Sequence, residues 1–193
     1  MGVDPETVDL DVLRPVPGID SSDYQISRQF THLVRKMALV RKAHDLKGKL
    51  KDLPADKTND WSKHPEFVDL AKKIVKWIEG LPRDLQVTFP NDGAVPWVPS
   101  HFVGNLHAYF HLTRIMVHRP QIMDPASYVN GTWKVHMAAC SDSSRKMCKL
   151  QEAILDNFGV KGLLCMQRGI NFTIYAVLTS TMVHLVRHTS TSI

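Results

Sequence analysis

Only three cysteines occur in the 193 residues of this sequence, Cys140, Cys148 and Cys165, and no two form a Cys-x-x-Cys pair. This scarcity argues against a disulfide framework and is typical of a reducing compartment. A glycine-rich phosphate loop is absent, and so is the Gly-x-Ser-x-Gly pattern of serine hydrolases. These absences favour a binding or regulatory protein over an enzyme.

The net charge is small, +5, but it is unevenly distributed. Residues 1–23 hold six acids and one base, whereas residues 24–51 hold eight bases and one acid. A basic run of this kind can bind nucleic-acid phosphates. However, no aromatic residues alternate with these bases to stack on nucleotide bases. We therefore expect a solvated basic helix face, with nucleic-acid binding as the alternative.

A secretory signal is not expected at the start of the chain, because residues 1–11 are acidic and lack an apolar segment. Residues 169–186 are the one stretch that resembles a membrane span, since histidine is their only titratable side chain apart from tyrosine. They also contain several hydroxyl and amide side chains, and their length is at the lower limit for crossing a bilayer. We predict a buried core helix there.

Hydrophobic periodicity predicts an all-α protein, an irregular bundle of about five helices. An acidic extended leader is expected at 1–19 and the helical domain at 20–193. The first helix has apolar residues at helical spacing, which predict its buried face as Ile26, Phe30, Leu33, Val34, Met37 and Val40. The predicted helices cover 22–46, the segment from Pro65 to a stop at Gly80, 100–118, 133–157 with a stop at Gly159, and 161–188. Loops are expected at 52–63, 81–99 and 119–131.

The segment 100–118 has the clearest helix signals in the chain. Ser100 is an expected N-cap, and Pro120 is an expected stop because proline lacks the amide hydrogen that continues a helix. Apolar residues at helical spacing predict a core face of Phe102, Val103, Leu106, Phe110 and Ile115. Spacings of four, three and four place a second set on another face, namely His107, His111, Arg114 and His118.

These residues resemble a known motif. Leu106-His107, Tyr109, His111, Arg114 and His118-Arg119-Pro120 are similar to the "LH..YH..R...HRP" helix in the regulatory region of fungal binuclear-zinc-cluster transcription factors. Three other stretches fit the same region, 77–85, 133–151 and 164–185. The resemblance covers roughly residues 20–190. Within this family, the sequence is similar to regulators of xylan, fatty-acid or cutin use.

The resemblance implies a regulatory domain that acts in the nucleus on RNA polymerase II transcription, in carbon or lipid metabolism. It implies protein partners, a possible small-molecule effector and no cofactor in this chain, because zinc and DNA contact belong to a six-cysteine module that these residues lack. The family's region is longer, so we expect a partial domain. The structurally decisive residues implied are Trp97, His107, Tyr109, His111, Arg114, His118, Arg119, Pro120 and Trp133.

More specific expectations attach to some of these side chains. Trp97 is expected to anchor the 81–99 loop to the core. Arg114 and Arg119 are expected to connect helix faces through carboxylates or helix-end carbonyls. The methionines are expected to fill the core, with an adaptable ligand pocket as the alternative.

Two further functions are alternatives to the regulatory domain. The chain could be a stand-alone helical interaction module that has lost DNA binding. It could also be a metal-dependent enzyme, because His107 and His111 have the spacing with which one helix chelates a metal. A redox-sensing role for Cys148 or Cys165 would require an exposed, acidic thiol.

Overall fold

The computed structural model describes residues 21–51, 61–122, 124–164 and 170–190. Within these ranges the protein is all-α, as the periodicity predicts, and no strand is present. The acidic leader and most of the 52–63 loop lie outside the described residues. The described residues form six α-helices, α1 (Ser21–Lys51), α2 (Pro65–Glu79), α3 (His101–Ile122), α4 (Pro125–Val129), α5 (Trp133–Leu164) and α6 (Ile170–Ser190), with short 3-10 turns at Trp61–Lys63 and Arg83–Leu85.

Helix α3 forms the centre of the fold and packs most extensively against α5. The two helices approach closely at Gly104, where an added Cβ would lie 2.7 Å from Cγ1 of Ile154. The main apolar cluster is built on this interface and includes Leu106, Ile115 and Met147. The loop before α3 closes one end of the cluster with buried Leu85 and Val98.

Helices α1 and α2 form a second apolar cluster with part of α3. Phe67, Leu70 and Ile74 of α2 pack there against α1 and against two α3 residues, Phe110 and Val117. Pro65 begins α2 and Gly80 follows its end, both as predicted. The two clusters leave α3 covered on almost every face.

The expected stop at Pro120 is wrong, because α3 continues to Ile122. A proline removes one backbone hydrogen bond, and here the loss falls in the last turn, where few intrahelical bonds remain to be lost. The expected loop at 119–131 also contains the short helix α4, whose N-cap is Asp124. By contrast, Gly159 does interrupt α5 as predicted, with a φ of 63° that favours glycine.

Helix α6 departs from the prediction of a buried core helix. The α6 residues that are buried beside α5 are mostly small or polar, namely Ala176, Thr179 and Ser180, together with Val183. Six of the described apolar side chains of α6 are 47–59% exposed. We refer to this set as the α6 apolar face; it consists of Ile174, Tyr175, Val177, Leu178, Met182 and Leu185. No helix in the described ranges has both the length and the hydropathy needed to cross a membrane.

Candidate functional site

The motif helix begins as predicted. The Ser100 hydroxyl accepts a hydrogen bond from the backbone N–H of Val103 at 3.2 Å, which confirms the N-cap. Of the expected core face, Val103, Leu106, Phe110 and Ile115 are buried, and Phe102 is half-buried. On the second face, His107 and His111 are buried and Arg114 and His118 are half-buried, because other helices pack around α3 on several sides.

His107 connects α3 to the 3-10 turn that precedes it. Its Nε2 lies 2.9 Å from the Leu85 carbonyl oxygen. Since a carbonyl only accepts, Nε2 carries the proton and donates it. Burial lowers the pKa of His107, and the bond to Leu85 opposes that effect. The ring is therefore a neutral structural donor.

His111 lies one turn further along, in an aromatic environment. Its ring meets the rings of Phe89 and Phe110 edge to face, with centroid distances of 5.8 and 4.9 Å. Its Nδ1 is buried and has no hydrogen-bond partner among the described residues. Burial lowers the pKa of His111 well below its usual value, and nearby cations, including Lys146, lower it further. His111 therefore packs as a neutral ring.

Arg114 connects α3 to α5, as expected. Its Nη1 lies 3.2 Å from Oδ2 of Asp142, and the same oxygen lies 3.1 Å from Nζ of Lys146. These side chains are about one-third exposed, so water screens the ion pairs and each stabilises the fold by roughly 1 kcal/mol or less. The group fixes the register of the two helices more than it adds stability.

His118 also connects α3 to α5, through a second imidazole. Its Nδ1 lies 2.8 Å from Nδ1 of His136, so one ring donates a proton to the other. Phe67 of α2 meets both rings edge to face, with centroids 5.7 and 5.8 Å away. Burial, together with His136 and Arg114, lowers the pKa of His118 to about 4. His118 is therefore neutral near pH 7.

The four polar side chains that share one face of α3 therefore contact four different sets of partners. His107 faces the 3-10 turn, His111 faces two phenylalanines, and Arg114 and His118 face separate residues of α5. In the described ranges no three His, Cys, Asp or Glu side chains lie close enough together to hold a metal ion. The arrangement gives the His107 and His111 face a structural role and offers no support for the metal-enzyme alternative.

The remaining motif residues lie in different environments, and not all of them have the roles that were predicted. Trp97 is 72% exposed, so the expectation that it anchors the loop is wrong, and its neighbour Val98 is buried in that role. Arg119 is exposed and forms no ion pair with a described carboxylate, in contrast to Arg114. Tyr109 is buried in the main cluster. Trp133 is half-buried and stacks on Tyr128, with centroids 5.2 Å apart.

The basic run of α1 has several distinct roles. Arg28 forms a two-pronged ion pair with Asp84, at 2.7 and 3.1 Å, and Lys49 pairs with Glu66 at 3.2 Å. These contacts connect α1 to the turn before α3 and to α2. The run is therefore only partly the solvated face that was expected.

Lys36 is the most unusual residue that the sequence patterns did not reveal. Its side chain is fully buried, and its Nζ has no hydrogen-bond partner among the described residues. The ammonium lies 5.1 Å from the ring centroid of Trp77 and 5.5 Å from that of Phe110. Burial lowers the pKa of Lys36 to about 7. Its helical spacing from Leu33 and Ala43 was the available signal.

Two adjacent clefts open between α1, α3 and α6. Their volumes are about 340 and 360 Å³, and Met116 and Tyr175 line both of them. Pockets of 300–1,000 Å³ are the usual size for small-molecule sites. The methionines have two different positions: Met147 and Met137 fill the core, whereas Met116 lines the clefts. The paired clefts are therefore a candidate small-molecule site in the described part of the protein.

The two described cysteines, Cys140 and Cys148, lie in different environments. Cys140 is completely buried, and burial raises the pKa of its thiol to about 12. A thiol of this kind is inert at neutral pH. Cys148 is exposed on α5, and Cys165 lies outside the described residues. The redox role considered for Cys148 or Cys165 stays a prediction.

Comparison of the chain with protein-family models, with curated proteins and with solved structures found no match. The likeness of the α3 residues to the fungal regulators therefore stays a prediction, to be tested on the protein itself.

Proposed function

We propose that this chain is a regulatory domain of a fungal binuclear-zinc-cluster transcription factor. In this proposal it acts in the nucleus on RNA polymerase II transcription of carbon or lipid metabolism genes, by binding partners and not by catalysis. Contact with DNA would depend on a zinc cluster that these residues do not contain. The helical fold and the structural use of the motif residues in α3 are compatible with this role.

The observation that carries the proposal is the inverted arrangement of α6. A surface helix normally buries its large apolar residues and exposes its polar ones. Among the described residues of helix α6 this pattern is largely reversed. Its buried residues are Ala176, Thr179, Ser180 and a single larger apolar one, Val183, and the Ser144 hydroxyl of α5 donates to the Ser180 carbonyl at 3.1 Å. A contiguous exposed apolar face of this kind is typical of a protein interaction surface. We propose that the α6 apolar face binds the transcription machinery or a related regulator.

A tethering experiment tests this function. The full chain is fused to an unrelated DNA-binding module and directed to a reporter promoter in a fungal host. We expect reporter transcription to change at least about fivefold relative to the module alone. A change in either direction supports the proposal, because the sign of regulation is not part of it.

A matched pair of double variants makes the test specific to α6. Leu178→Glu with Leu185→Glu places two charges on the α6 apolar face and should abolish the effect. Val129→Glu with Val135→Glu is the control, because these residues are 88% and 69% exposed elsewhere, and it should retain the effect. Equal loss in both variants at equal protein level, or no effect of the parent fusion, would contradict the proposal.

A stand-alone interaction module that has lost DNA binding is the second candidate, since the α6 apolar face serves it equally well. The genomic DNA upstream of the Met1 codon separates the two. Six cysteines spaced as a zinc cluster, followed by a basic linker and heptads, support the regulator, and their absence favours the stand-alone module.

A further inference from the structure

The two clefts between α1, α3 and α6 differ in chemistry, although they meet at Met116 and Tyr175. The first cleft is lined mainly by apolar side chains, from Met37 and Val40 on α1 and from Leu112 on α3. One of its hydroxyls is already committed, because Thr113 donates to the Tyr109 carbonyl at 2.7 Å. The first cleft therefore suits a flexible or planar hydrocarbon body.

The second cleft carries positive charge. Its ionisable lining residues include Lys47 and His44 from α1 and Arg119 from α3, and none of the lining residues that the structure describes is acidic. Neither Lys47 nor Arg119 forms an ion pair with a carboxylate in the described ranges. The planar guanidinium of an arginine binds a carboxylate through two parallel hydrogen bonds. The second cleft therefore suits one anionic group.

We infer that the paired clefts form a single site for a small amphipathic carboxylate. Its apolar body lies between Met37, Leu112 and Met116, and its carboxylate pairs with Arg119 and Lys47. A concave site of this size favours a single molecule over a lipid surface, because a bilayer is too flat to enter it. That the ligand acts as an effector rests on the proposed regulatory function, whereas the binding itself does not.

The position of the site suggests how binding could influence α6. Helix α6 packs chiefly on α5 and touches α3 only lightly, and the clefts lie in the intervening gap. A ligand there adds contacts between Tyr175 of α6 and the α1–α3 pair. It would therefore favour the conformations in which α6 and its apolar face are held in one position.

Isothermal titration of the purified full chain with decanoate tests the inference. We expect saturable binding of one decanoate per chain below its micellar concentration. 1-Decanol keeps the apolar body without the charge, and butyrate keeps the charge with a short body. Both should bind at least about tenfold more weakly.

Two variants and one control locate the site. Arg119→Gln should weaken decanoate binding about tenfold and leave 1-decanol unchanged. Met116→Trp fills the space common to both clefts and should remove binding of either compound. Arg145→Gln is the matched control, because Arg145 is exposed on α5 and lines neither cleft. Circular dichroism confirms that each variant is folded.

Three results would overturn the inference: equal weakening by Arg119→Gln and Arg145→Gln, 1-decanol binding as tightly as decanoate, or binding to phosphatidylserine vesicles but not to monomeric decanoate. Because no promoter is involved, the binding test can fail while the tethering test succeeds, and the reverse holds too.

Discussion

Helices α3 and α6 are nearly equal in length, at 22 and 21 residues, yet the fold uses them in opposite ways. Helix α3 carries several histidines and two arginines but is buried on almost every face. Helix α6 has no acidic residue and many apolar ones, and six of the apolar side chains described there are about half exposed. The helices that pack against α3 and α6 therefore decide which of their side chains are buried, since polar groups can be buried when each has a partner or an aromatic contact.

The largest expected effect comes from the same substitution made in both helices. Leu106 of α3 is completely buried, whereas Leu178 of α6 is 59% exposed. Leu106→Ala should lower the free energy of unfolding by about 3–5 kcal/mol, because it leaves a cavity. Leu178→Ala should change it by about 0.5 kcal/mol or less. Urea unfolding followed by circular dichroism measures both, and similar losses would mean that α6 is as well packed as α3.

The second prediction concerns the charge buried against α3. Lys36→Met replaces the ammonium between Trp77 and Phe110 with an apolar group of similar length. The variant should be more stable at pH 7 by about 2–4 kcal/mol, because burying an unpaired charge is costly and the two rings offset only part of that cost. Lys36→Arg is a control that retains the charge and should give no such gain.

The pH dependence of the same variant gives an independent check. The pKa of Lys36 is about 7 in the folded protein, against 10.5 for a lysine in water, so between these values the unfolded chain binds more protons. The Lys36 contribution to the free energy of unfolding therefore rises as pH increases from about 7 to 10.5. The Lys36→Met advantage should shrink over that window. An advantage that stays constant to the upper end of the window would contradict the burial of the charge.

Lys36 also explains one limit of sequence-based prediction. Periodicity predicts a buried face of α1 that includes Ile26 and Phe30, but both of these side chains are exposed. The stripe that is buried runs through Leu33, Lys36, Leu39, Ala43 and Leu46. Because a lysine lies in the middle of this stripe, a count of apolar residues at helical spacing does not detect it. The aromatic rings that accommodate the charge come from α2 and α3, which are remote in sequence.

Features of the protein that depend on local sequence could be predicted, whereas features that depend on tertiary packing could not. The Ser100 cap, the start of α2 and the break at Gly159 are local in origin, and the sequence signals for them are confirmed. The continuation of α3 past Pro120 and the exposure of Trp97 depend on tertiary packing. The clefts join α1, α3 and α6, and no local pattern predicts which side chains meet there.

The smallest expected effect comes from replacing each of two helical glycines with alanine. The free energy of unfolding should change in opposite directions at the two positions. Both Gly104 and Gly48 lie inside helices, where alanine has the better intrinsic propensity by up to about 1 kcal/mol. A Cβ at Gly48 of α1 meets nothing within 4 Å, so Gly48→Ala should stabilise the protein by about 0.5–1 kcal/mol. It serves as the reference for the same substitution in α3.

At Gly104 the added Cβ would lie 2.7 and 2.8 Å from Cγ1 and Cδ1 of Ile154, closer than carbon atoms can pack. Ile154 is completely buried, so a shift of its side chain must displace other packed groups. Overpacking of roughly 1–3 kcal/mol therefore outweighs the gain in helix propensity, so Gly104→Ala should destabilise the protein by about 0.5–2 kcal/mol. Thermal unfolding of both variants measures the difference in sign. Stabilisation by both would show that α3 and α5 separate easily, and the contrast between a tightly packed centre and an open periphery would then fail.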